Sequence, residues 1–244
     1  MRLMIRALAV ILMFCPFFGL SQDAEDVNNS TSFSKKFKDD DVLCFSSYRY
    51  FTFDNGKNAL GDKVVEVQED AEYEFLSLKK FASITYAEFY NKFVELNSFK
   101  RAYKVSNKKY LTSSRVGIDR SVTDDGIFFD DSRMQFYPLR FSKKGEMARV
   151  TVKKTYTDGK YRTRLFFHAP YPVKEQVIKF KVPDWINVDF KKMNFEGHQI
   201  QMKQTKISGA YYKMLMSKED NVYPLISDHA AISIAFRIRL GDAD

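Results

Sequence analysis

From Leu43 onward the chain repeats one pattern: short runs rich in β-branched and aromatic residues, apolar at every second position and interrupted by turn residues. Alternation of this kind builds sheets with one buried face and is incompatible with a helical bundle. In the first run Tyr48, Tyr50 and Thr52 share one parity, and Phe51 and Phe53 share the other. A turn signal at Asp54, Asn55 and Gly56 precedes further β-rich runs at 64–67 and 73–78, which predicts an N-terminal meander. Beyond Tyr103, turn signals recur at Ser106-Asn107, Asp124 to Gly126, Lys144-Gly145, Asp158-Gly159 and Ser208-Gly209. That cadence predicts a mainly β fold, a sandwich or barrel.

Three local features refine the expectation. Asp158-Gly159 suits a type I′ turn and predicts a hairpin joining residues 150–156 to 161–167. The run 173–182 alternates apolar residues with Lys174, Glu175, Lys179 and Lys181, so one face is buried and the other wet. Pro183 ends that run, and Trp185 is expected to pack at the end of the sandwich rather than to serve as a ligand platform. One segment departs from the β pattern. Thr85-Tyr86-Ala87-Glu88 has capping-box spacing, and Phe89, Phe93 and Leu96 follow at helical intervals, which predicts a short helix over residues 86–97.

The N-terminus has the order of a secretory leader. Arg2 and Arg6 precede an apolar run from Ala7 through Phe14, and Gly19, Leu20 and Ser21 offer a cleavage site before Gln22. The uninterrupted apolar run is shorter than the roughly 20 residues a membrane span needs, and Pro16 breaks it. The expected organisation is a signal peptide over 1–21, a flexible polar lead-in over 22–41, and a β-rich domain over 42–244. Within that domain, 226–244 forms an atypical or truncated end. Export would place the domain in the periplasm or at the outer envelope, with no stable membrane span once the leader is cut.

Cleavage also removes Cys15. Cys44 then has no partner, which excludes an internal disulfide. Set among Leu43, Phe45, Tyr48 and Tyr50, Cys44 reads as a small buried hydrophobe. The formal net charge of +8 is spread among carboxylates in most segments, so the sequence calls for a solvated surface and no nucleic-acid partner.

Catalytic equipment is sparse. The histidines, His168, His198 and His229, lie in three different settings without ligand spacing, and no phosphate-cradling glycine motif occurs. Asp124, Asp125, Asp130 and Asp131 flank a short apolar core, but their spacing matches no calcium loop. The sequence therefore assigns no catalytic, cofactor or metal residue. A hydrolase or acyl-transfer enzyme would have to use Cys44 or an acidic pair.

Three stretches carry a resemblance. They are Glu74 to Phe81 running into the segment after Thr85, then 121–141, then Tyr156 to Trp185 with Asp158-Gly159-Lys160-Tyr161, Tyr171-Pro172-Val173 and Val182-Pro183-Asp184-Trp185. Together they resemble the domain of unknown function that precedes a transglutaminase-like core in secreted bacterial proteins. The resemblance spans roughly Leu43 to Tyr212 and implies a β-sandwich preceding a papain-like core with a Cys, His and Asp triad. No position here matches that triad, because Cys44 lies far upstream of where such a nucleophile would sit. The implied role is a binding or scaffolding module for a protein or glycan of the cell envelope. A functionless fragment of a longer transglutaminase-like protein is the other reading of the same likeness.

Export predicts that the processed protein starts at Gln22. N-terminal sequencing of the exported fraction checks this, and a chain there that still carried Arg2 and Arg6 would contradict it.

Overall fold

A computed structural model describes residues 24–57, 61, 63–106, 109–113, 117–122, 131–157, 162–167, 169–196, 198–207, 209–218 and 231–238. Its main body is an eight-stranded sheet. In spatial order the strands are β12 (Ile200–Ile207), β13 (Ala210–Lys218), β10 (Glu175–Pro183), β1 (Val42–Lys57), β2 (Lys63–Ser77), β8 (Met147–Tyr156), β4 (Val94–Ser106) and β5 (Lys109–Thr112). β1 and β10 run parallel, whereas β1 and β2 form a long antiparallel pair. Two three-stranded sheets accompany it among the described residues. One is β11 (Ile186–Met193), β14 (Ala231–Ile238) and β9 (Arg162–Phe166), and the other is β3 (Ser83–Tyr90), β7 (Arg133–Arg140) and β6 (Ile118–Ser121). The architecture is mainly β and sandwich-like, with sheets that do not close into a barrel.

Both small sheets lie on the same face of the large one, and β2 alone shows why. Its odd-numbered residues point to one side. Val65 and Val67 enter a first core, Ala71, Tyr73 and Phe75 enter a second, and Glu69 stands between them. The first core joins Phe51, Phe180 and Ile178 of the large sheet to Leu165, Ile186 and Val188 of the β11-β14-β9 layer. Phe51 and Phe180 stack there with ring centroids 5.1 Å apart. The second joins Phe75, Phe99 and Val150 to Tyr86, Tyr137 and Leu139 of the β3-β7-β6 layer. Phe99 and Tyr137 are 4.5 Å apart, and Phe75 meets Tyr86 and Tyr171 at 5.7 and 5.3 Å. A bulge between Cys44 and Ser46 resets the parity of β1, so that Val42 and Cys44 share the inner face with Arg49, Phe51 and Phe53. Trp185 packs against the first core, the place expected for it.

Four expectations are corrected. The segment 86–97 is not a helix: Ser83–Tyr90 is strand β3, and Val94 begins β4. Tyr86 points into the second core, while Phe89 and Phe93 of the supposed helical stripe are exposed. Glu88 is held by Lys154 and the Tyr86 hydroxyl instead of capping a helix. Asn91 closes the turn by accepting a hydrogen bond from the Phe93 amide, 2.9 Å. Tertiary pairing has overridden the local signal. Second, the hairpin expected around Asp158-Gly159 does not form, because both edges of β8 are taken by β2 and β4, and β9 pairs with β14. The turn residues 158–161 lie outside the described residues. Third, β1 runs through Asp54, Asn55 and Gly56 to Lys57 without turning.

Fourth, the lead-in contains helix α1, Ala24–Lys36. Glu25 and Asp26 in its first turn and Lys35 and Lys36 in its last suit the helix dipole. Its packed face follows a helical interval through Asp26, Ser30, Phe33 and, one turn beyond, Phe37. Asp26 pairs with Lys104 at 2.5 Å, and the fully buried Ser30 hydroxyl donates to the Ser77 carbonyl at 2.6 Å. Phe33 and Phe37 cover Leu43, Leu76 and Met147 on the outer face of the large sheet. None of the described helices is long and apolar enough to cross a membrane.

Phe75→Ala removes a fully enclosed ring and is expected to cost about 3–5 kcal/mol, whereas Phe81, 75% exposed at a left-handed φ of 58°, should tolerate Asn without loss. Urea denaturation of the two variants measures the contrast.

Candidate functional site

Where the two small sheets approach each other over the large one, they leave a cleft of about 380 Å³. Its walls come from β3, through Thr85, Tyr86 and Phe89, and from the end of β9 and the following turn, through Phe166, Pro170 and Tyr171. Its floor is the inner face of β1, β2 and β10, with Ser47, Arg49, Tyr73 and Gln176. Phe89 and Phe166 are 56% and 47% exposed, so each wall presents an aromatic ring to solvent.

A line of polar groups runs between the two cores. Arg49 Nε donates to Glu69 Oε1 at 2.6 Å, and the Tyr156 hydroxyl donates to Glu69 Oε2. Lys154, directly opposite Glu69 in the β2–β8 register, reaches across to Glu88 on β3. Glu88 also accepts from the Tyr86 hydroxyl at 2.7 Å. Gln176 Nε2 donates to the Phe166 carbonyl at 3.2 Å and so ties the floor to the β9 wall. These contacts link the large sheet to both small ones at the level of the cleft.

Titration behaviour follows from burial and pairing. Burial raises the Glu69 carboxyl, but Arg49 and the hydrogen bonds from Arg49 and Tyr156 outweigh it and hold the group below the ordinary carboxylate range. Arg49 loses stability by desolvation and regains more from Glu69, which fixes it as a cation. Burial pushes the phenols of Tyr73, Tyr86 and Tyr171 upward, so all three stay protonated. Cys44, also at the cleft, is fully buried, and its thiol is raised far above its ordinary value by desolvation and then by the charge of Glu74. Its Sγ donates to the Ser46 carbonyl at 3.3 Å.

Cys44 is thus the buried small hydrophobe that the sequence anticipates, in the second core. His198 sits in a turn beside Phe195, which packs on the first core. His168 and His229 lie outside the described residues, as do Asp124, Asp125 and Asp130; Asp131 accepts from the Lys92 amide at 3.0 Å. Among the described residues no three His, Cys, Asp or Glu side chains gather to hold a metal. The sequence reading missed Arg49, Glu69 and Lys154. A signal existed: Arg49 has the parity of Phe51 and Phe53, and Lys154 that of Val150 and Val152, so both put a charge on a buried face.

No family model matches the sequence, and neither does any curated protein. Solved structures do match. A candidate protease from Parabacteroides distasonis aligns with a TM-score of 0.53 at 9% identity, over 80% of this chain and 40% of that one. A candidate nutrient-binding protein from Legionella pneumophila gives 0.44 at 7% identity, over 80% and 67%. An M1 zinc metallopeptidase from Deinococcus radiodurans gives 0.39 at 11% identity, over 80% and 42%. The chain therefore spans well under half the length of the first of these, and the likeness to it is one of fold.

Breaking a buried ion pair leaves an uncompensated charge, so Arg49→Met and Glu69→Leu should each cost about 3–5 kcal/mol while the double variant loses much less. A double-mutant cycle in urea measures this. Because the fold lowers the Glu69 pKa, its contribution is complete above the unfolded Glu value of about 4.3 and vanishes as pH falls through the lower folded value. Stability measured across that acid range should therefore decline less steeply in Glu69→Gln than in the parent.

Proposed function

We propose that the chain is an exported, non-catalytic binding or scaffolding module of the cell envelope, a counterpart of the domain preceding transglutaminase-like cores, and that the cleft between its small sheets holds a protein or glycan partner. The observation that carries this reading is the division of labour in the cleft. Arg49, Lys154 and Gln176 are each bonded within the protein, and two aromatic residues on opposite walls, Phe89 and Phe166, are about half exposed to solvent. Ring faces of this kind grip sugar rings or apolar side chains without needing a charge on the partner. A deeply buried, protonated Cys44 favours the non-catalytic role over a thiol nucleophile, which needs a thiolate.

Immobilised protein starting at Gln22 should retain an envelope protein or glycan, and Phe89→Ala with Phe166→Ala should lose that retention by about tenfold while keeping the far-ultraviolet β signature. Retention unaltered in the double variant would remove the cleft from the proposal; no retention by the parent would remove the binding role. An acyl-transfer or hydrolytic activity that disappears in Cys44→Ser would overturn the non-catalytic reading.

A further inference from the structure

A second recess, of about 440 Å³, opens between β4, β6 and β7 and shares no residue with the cleft. At its base lies Arg101, on the inner face of β4 opposite Val150 and only 8% exposed. Its Nη1 donates to the Pro138 carbonyl at 2.6 Å, and its Nη2 donates to Ser113 Oγ at 3.3 Å. The guanidinium lies 5.2 Å from the Tyr137 ring centroid and 6.0 Å from that of Tyr103. Its buried Nε–H has no acceptor among the described residues. All of these partners are neutral. Among the described residues Arg49, which is half-buried, and Lys154, which is buried, also lie on this face, and each has a carboxylate within contact.

A buried cation without a counter-charge is costly, and two tyrosine faces and one carbonyl dipole offset only part of that cost. We infer that this recess binds a small carboxylate carrying an apolar body, with Arg101 as the anion anchor. The planar guanidinium fork matches a carboxylate in bidentate fashion, and the unfilled Nε–H beside the long Ser113 contact is the edge such a group would take. Ser113 is the displaceable partner. Tyr103, Tyr137, Pro138 and the half-exposed Ile118 supply an aromatic and aliphatic surround that suits a hydrocarbon body and leaves the many oxygens of a phosphate unmatched. Arg140, exposed at the rim, adds a second positive charge at the entrance. The volume lies in the range of small-molecule sites, about 300–1,000 Å³.

Benzoate is the probe, titrated calorimetrically and by thermal denaturation into the chain starting at Gln22, with ionic strength held constant by chloride. Benzyl alcohol serves as its neutral analogue and inorganic phosphate as the competing anion. Benzoate should bind saturably and raise the Tm, with benzyl alcohol and phosphate each weaker by about tenfold or more. Arg101→Lys keeps the charge but loses the fork and should weaken benzoate by about tenfold. Arg140→Gln, which leaves the buried anchor in place, should weaken it by about twofold. If Arg101→Lys fails to fold, Arg140→Gln and the benzyl alcohol comparison decide. Absence of saturable benzoate binding, equal binding of benzyl alcohol, tighter binding of phosphate, or affinity unchanged by both substitutions would each overturn the inference.

Discussion

The Arg49–Glu69 pair is the point on which this architecture turns. One sheet supports two separate hydrophobic cores on a single face, and without an intervening polar element those cores would merge and draw the covering sheets into one layer. Glu69 on β2, with Lys154 beside it on β8, places charge where the apolar row would otherwise continue. Arg49 and Tyr156 then satisfy that charge from the large sheet, and Glu88 satisfies Lys154 from the β3 layer. Desolvating the carboxylate is unfavourable by itself, but the hydrogen-bonded cation more than compensates. The gap between the small sheets follows from this line of charge, and so does the cleft.

Much of this was legible in the chain, and the failures have physical causes. The β class and the alternation of β10 and of β1 beyond its bulge follow from period-two patterning, and the buried state of Cys44 and the packing of Trp185 follow from the apolar character of those side chains. The helix expected at 86–97 failed because a capping box is a local signal worth about 1 kcal/mol, whereas β3 gains a full ladder with β7 and a core position for Tyr86. The hairpin at Asp158-Gly159 failed for a topological reason that no turn residue reports: both edges of β8 already had partners. Helix α1 was hidden because half of its packed face is polar, with Asp26 and Ser30 standing where apolar residues are usually sought.

The cleft and the Arg101 recess illustrate two uses of buried polarity on one sheet face. At the cleft, Arg49 and Lys154 each face a carboxylate, Glu69 and Glu88, so opposite charges are paired. In the recess the Arg101 guanidinium has only neutral partners among the described residues. The sequence distinguishes neither case, since Arg49 and Arg101 are both inward arginines on long strands. Only the tertiary arrangement, which puts Glu69 near the first and Tyr137 near the second, separates them.

The parallel pairing of β1 with β10 also governs the order in which the molecule can be assembled. A polypeptide is made from its N-terminus, and the buried members of the second core, Val173 excepted, all occur between Val42 and Val152. The first core needs Leu165, Phe180, Ile186 and Leu215, so Phe51 and Phe53 wait for strands synthesised more than a hundred residues later. During that interval β1 has one edge unpaired and half of its inner face uncovered, the condition under which sheets join to foreign strands. The cores that share a floor in the finished molecule are therefore early and late products of the same chain, and the span between them is its interval of greatest exposure to misassembly.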